Sequence, residues 1–102
     1  MYSRIINSVA LNEMQLNMFI ENFKSIGAKT VLNIGAVQIT ITKISSNKAI
    51  VITVYPNKNL ADKARDAVKE NVKQVKEFIK LEMNEGEVVF NQNSLTHEWS
   101  FE

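Results

Sequence analysis

Apolar positions recur along this chain with two different periods, and the switches between them mark its elements. Residues 2–9 are rich in β-branched side chains and are followed at once by a helix start, which predicts a first strand. Asn12 is a good N-cap with Glu13 in the first turn behind it. Leu16, Phe19, Ile20 and Phe23 then recur at helical spacing, flanked by Met14 and Met18, and predict a helix over 13–26. Gly27 is placed to end it as a C-terminal glycine. Residues 29–45 form a long β-branched stretch. Leu32, Ile34 and Ala36 alternate in one phase, and Val37, Ile39 and Ile41 in the other, so a β-bulge is expected beside Gly35.

The polar run Ser45-Ser46-Asn47-Lys48 reads as a turn, and residues 49–55 as a strand returning antiparallel. Ile50, Val51, Ile52 and Val54 make that strand apolar in both phases, which predicts cover on both faces. Pro56 stops it. Asn59 is the expected cap of a long helix over 60–83, with Asp62 three residues on. Leu60, Ala64, Val68, Val72, Val75, Phe78 and Ile79 draw its buried stripe, and acid-before-base pairs such as Asp62–Arg65 and Glu70–Lys73 its wet side. Residues 87–92 are the last clear strand, and 95–101 could add a short one, with Leu95, His97, Trp99 and Phe101 in one phase. The order is β-α-β-β-α-β, the ferredoxin-like α+β pattern: a four-stranded antiparallel sheet with two helices on one face. We expect one domain over 1–92 and a tail over 93–102 that docks on the domain or on a partner. The sheet's other face is bare in a monomer, so a homodimer through that face is expected.

Composition narrows the chemistry. The chain has 102 residues, no Cys, one His and a net charge of +1. There is no thiolate nucleophile, no Cys-based metal site and no site needing two imidazoles from one chain. Glycine phosphate loops, nucleophile elbows and acidic metal clusters are missing from the sequence, and no cofactor or metal is implied. All Lys and Arg lie at or before Lys80. The basic helix face alternates with acids and lacks interleaved aromatics, which argues against nucleic acid. The longest apolar run, Ala49-Ile50-Val51-Ile52, is strand-sized, so no membrane span is expected, and with no secretory signal in view a cytoplasmic protein is.

The candidate chemistry is that of an apolar pocket between sheet and helices. Ile5, Met18, Phe19, Phe23, Val72 and Phe78 are its expected walls, with Asn7 and Tyr55 as polar handles. Such a wall suits an apolar or amphipathic small molecule, fatty-acid-like or polyketide-like, better than a sugar or nucleotide. A Lys or Arg at the mouth could hold a carboxylate head. Arg4 is a lesser candidate, having the opposite strand parity to Asn7, and so is His97. Without a pocket role, Arg4 should pair with a Glu across the dimer and Asn7 should bond a neighbouring element.

The opening Met1-Tyr2-Ser3-Arg4, the element order, the long slipped second strand and the apolar Val51-Ile52-Thr53-Val54-Tyr55 before Pro56 resemble the dimeric α+β barrel superfamily, near its antibiotic-biosynthesis-monooxygenase-like and stress-responsive members. The resemblance covers residues 1 to about 92. It implies two sheets packed face to face and, in each subunit, a pocket between sheet and helices. It also implies a cofactor-independent monooxygenase or isomerase-like enzyme as the alternative to a ligand-binding protein without chemistry. Asn7 matches by position the strand-one Asn of the haem-degrading members. Residues 60–83 hold neither the His nor the Trp of those members, which sets haem degradation aside.

Overall fold

The computed structural model describes residues 1–92; residues 95–101, with His97, Trp99 and Phe101, lie outside the described residues. The elements are β1 (Tyr2–Ala10), α1 (Glu13–Asn22), a π-helical segment (Phe23–Gly27), α2 (Ala28–Ile34), β2 (Gln38–Lys43), β3 (Lys48–Tyr55), α3 (Lys58–Ala67), α4 (Lys69–Val75) and β4 (Ile79–Glu87). The strands form one antiparallel sheet in the order β2-β3-β1-β4, and the helices pack on one of its faces. This is the ferredoxin-like α+β fold.

Asn12 caps α1 as expected: its side-chain oxygen accepts from the Gln15 amide at 2.9 Å. Gly27 does not end that helix. It keeps right-handed helical angles (φ −61°), and the chain stays helical to Ile34. What Gly27 supplies is room, because a Cβ there would stand 2.9 Å from Cδ2 of Phe23. The terminator is Gly35, whose φ of 136° suits glycine. The expected bulge beside Gly35 is therefore a helix-to-strand junction. Leu32 and Ile34 belong to a helix and Ile39 and Ile41 to a strand, so their two phases never had to agree.

The second helical arm also differs from expectation. Asn57, not Asn59, caps it, its side chain accepting from the Leu60 amide at 2.9 Å. The arm breaks at Val68 (φ −100°, ψ 5°) and ends at Val75. Residues 79–83 are strand rather than helix, β4 ends at Glu87, and residues 88–92 of the strand expected over 87–92 lie beyond it. Long-range pairing with β1, from Tyr2↔Glu87 to Ala10↔Ile79, decides this.

Two buried clusters make up the core. One gathers Leu16, Phe19, Val51, Val75 and Ile79; the other gathers Tyr2, Val31, Tyr55, Ala61 and Ala64. Even-numbered residues of β1 face the helices, and odd-numbered ones face away. On the outer face Ile5 and Val9 are each more than a third exposed, and Ile52 lies opposite Ile5.

Candidate functional site: a cavity between sheet and helices

A cavity of about 500 Å³ opens between the sheet and the helical arms and borders both core clusters. That volume lies in the range of small-molecule sites. Its floor is the helix-facing side of the sheet: Ile6 of β1, Thr53 and Tyr55 of β3, and Leu81 and Met83 of β4. Phe19, Phe23 and Val31 come from the first helical arm, and Ala64, Val68, Val72 and Val75 from the second. The first-arm set follows one stripe. Phe19, Phe23, Gly27 and Val31 are spaced four apart, so the stripe continues through the π-helical segment into α2. Asn71 of α4 donates to the Asn22 side-chain oxygen at 3.1 Å and links the two arms beside the cavity.

Arg4 is the most heavily bonded group on this floor and is only 4% exposed. Its Nη1 donates to the Ala61 carbonyl at 2.6 Å. Nε and Nη2 donate to the two carboxylate oxygens of Glu85, at 3.3 and 3.2 Å. The guanidinium lies 6.0 Å from the Tyr55 ring centroid, and Asp62 Oδ1 is 3.6 Å from Nη2. Tyr2 donates its hydroxyl to Glu85 Oε1 at 2.7 Å. These donors hold the Glu85 carboxyl below its ordinary pKa, the Tyr2 hydroxyl contributing most and Arg4 next. The same bond raises the Tyr2 pKa, because ionised Tyr2 would lose it and face a carboxylate. Arg4 is thus a buried cation already paired within its own chain. The Glu expected across a dimer is Glu85 on the neighbouring strand.

Thr53 is 3% exposed and its hydroxyl has no hydrogen-bond partner among the described residues. Ser8, on the same face, instead donates to the Ala49 carbonyl at 2.8 Å.

Of the residues singled out from sequence, Phe19, Phe23, Tyr55 and Val72 line the cavity, and so does Arg4. Ile5 and Asn7 stand on the opposite face of the sheet, because β1 has the reverse phase. Met18 is about half exposed on the outer side of α1. Phe78 packs on the Leu16–Phe19 cluster and does not border the cavity. Sequence reasoning missed Ile6, Val31, Thr53, Leu81 and Met83. The four-residue stripe through Gly27 signalled Val31, and the alternation Ile79, Leu81, Met83 signalled a strand. Among the described residues there is no group of three or more His, Cys, Asp or Glu placed to hold a metal ion, and no helix is long and apolar enough to cross a membrane.

No family model matches the sequence, and no curated protein matches it. Solved structures do match the fold. A dimeric ferredoxin-like protein from an uncultured marine organism aligns with a TM-score of 0.72 at 15% identity, covering 90% of this chain and 97% of that one. A putative antibiotic biosynthesis monooxygenase from Nitrosomonas europaea gives 0.72 at 10% identity, over 88% of this chain and 100% of that one. SnoaB, a cofactor-independent oxygenase from Streptomyces nogalater, gives 0.70 at 12% identity, over 94% and 97%. The chain therefore shares its ferredoxin-like fold with dimeric ferredoxin-like and antibiotic-biosynthesis-monooxygenase-like proteins.

Proposed function

We propose that the protein is a homodimer that binds an apolar or amphipathic small molecule, one per subunit, in the cavity between sheet and helices. The observation that carries this reading is the cavity itself: about 500 Å³ walled largely by Phe, Val, Leu, Met and Ala side chains at the place where a small domain would otherwise close its core. Apolar walls recognise shape and apolar area at about 25 cal/mol per Å² buried. They offer a sugar or phosphate too few hydrogen-bond partners. The homodimer is supported by the outer sheet face, where Ile5 and Val9 are exposed and Ile52, opposite Ile5, is half-buried, and by the dimeric protein of like fold.

The test uses the purified full chain. Native mass spectrometry should show a retained small molecule, or decan-1-ol should raise the melting temperature at concentrations near millimolar. Val72→Trp, which puts an indole into the cavity, should abolish both effects while keeping the circular dichroism spectrum. Neither retained ligand nor thermal shift in the wild type would defeat the reading. A second reading, a cofactor-independent oxygenase, is supported by the fold likeness to the oxygenase SnoaB. Oxygen uptake on adding a polyphenolic, polyketide-like compound tests it; no uptake above the uncatalysed rate counts against it.

A further inference from the structure

Charge around the cavity is strongly one-sided. Arg4, Arg65, Lys69, Lys73 and Lys76 line it against a single acid, Asp66. Both arginines are committed. Arg4 is held by Glu85 and the Ala61 carbonyl, and Arg65 stands 3.6 Å from Asp62 and 3.7 Å from Asp66. Lys73 has only a 3.7 Å contact with Glu70, both side chains being well exposed, a kind of pair that contributes little. Lys69 and Lys76 make no ion pair with any described residue. Positions 69, 73 and 76 are four and three apart, which puts them in one row on the helix. That row runs beside Val72 and Val75, which wall the cavity. Lysine stems can lie along such apolar surface with the ammonium groups at its wet edge.

We propose that the ligand is an amphipathic anion, with its apolar body in the cavity and a single anionic head group held by Lys69, Lys73 and Lys76. This rests on the reading of the cavity as a ligand site. It takes the head-group role away from Arg4, whose donors are occupied, and gives it to a row of cations that α4 and its C-cap residue Lys76 align with the apolar wall.

Four probes with one ten-carbon chain and different heads test the proposal: decanoate, decyl sulfate, decan-1-ol and decyltrimethylammonium. Binding to the full chain is measured by calorimetry at low and high ionic strength. Decanoate should bind about five- to tenfold more tightly than decan-1-ol at low salt, and the gap should narrow as salt screens the rim. Decyltrimethylammonium should bind most weakly. The triple variant Lys69→Gln/Lys73→Gln/Lys76→Gln should lose the preference while still binding decan-1-ol, which shows that its cavity is kept. The triple Lys→Arg variant should keep the preference. A preference for decyl sulfate over decanoate supports the anion site and assigns it to a tetrahedral head. Equal binding of decanoate and decan-1-ol, or a preference that survives in the glutamine variant, overturns the proposal and leaves the cavity reading standing. Failure of all four probes to bind overturns both.

Discussion

At the scale of single residues, the buried Arg4 shows how one polar group can sit inside an apolar site without weakening it. Two hydrogen bonds to Glu85, one to the Ala61 carbonyl and the Tyr55 ring satisfy it. Removing the carboxylate charge leaves a buried cation short of its main partner, so Glu85→Gln should cost about 1–3 kcal/mol in urea unfolding. The Glu85 pKa is lowered in the fold, so its stabilisation is present above the unfolded value near 4.5 and is lost as pH falls through the lower folded value. The Tyr2 pKa is raised above 10.0, so its share is present below pH 10 and is lost as pH rises through the folded value. Stability should therefore decline at both ends, and Tyr2→Phe should flatten the alkaline arm and move the acid arm to higher pH. Thr53 is the opposite case. Its hydroxyl is buried and unpartnered, so Thr53→Val should raise stability by about 1 kcal/mol; a clear loss would show that the hydroxyl finds a partner in solution.

At the scale of elements, the π-helical segment Phe23–Gly27 decides where the Phe23 ring stands. Gly27→Ala should gain about 1 kcal/mol of helix propensity and lose about 1–3 kcal/mol to overpacking against that ring. The net loss should shrink in a Phe23→Leu background, and a double-mutant cycle in melting temperature measures the coupling. Because Phe23 lines the cavity, Gly27→Ala should also alter decan-1-ol binding. The same elements show why boundaries were hard to read. Gly27 looked like a stop because glycine usually ends helices, but here it relieves a close approach. Ile79 looked helical because it continues the stripe Val72, Val75, Phe78, yet it also opens the two-residue alternation that β4 follows. Two periods overlapped at one residue, and pairing with Ala10 of β1 settled the matter.

At the scale of the whole molecule, the sheet has two apolar faces with different neighbours: one builds the cavity with the helices, and the other is the face proposed to meet a second copy. The outer-face residues Ile5 and Ile52 are direct cross-strand partners. Covering that face needs an interface of roughly 800 Å² per subunit. Sedimentation at micromolar concentration should show a dimer for the wild type. Ile52→Glu should give a folded monomer, since a carboxylate there would be desolvated without a partner. A wild-type monomer would remove the dimer from the proposed function and leave the cavity untouched.

The chain's own pattern determined the β-α-β-β-α-β order, though not where the first helical arm or the last strand lies, and also the Asn12 cap and the antiparallel return around Ser45-Ser46-Asn47-Lys48, where the Ile44 amide donates to the Lys48 carbonyl at 2.9 Å. These are local: each rests on a period or a turn within a few residues. The phase of β1 was not local. Tyr2, Ile6 and Ala10 make one face apolar, Ile5 and Val9 the other, and each face carries polar residues, so no count of apolar residues could choose. The tertiary structure chose through partners distant in sequence. Arg4 and Ser8 can turn inward because Glu85 and the Ala61 and Ala49 carbonyls are there to accept their hydrogen bonds, whereas Asn7 is carried to the outer face. Only that packing assembled the cavity and set the row of lysines beside it, because walls drawn from three strands and two helical arms have no signature along the chain.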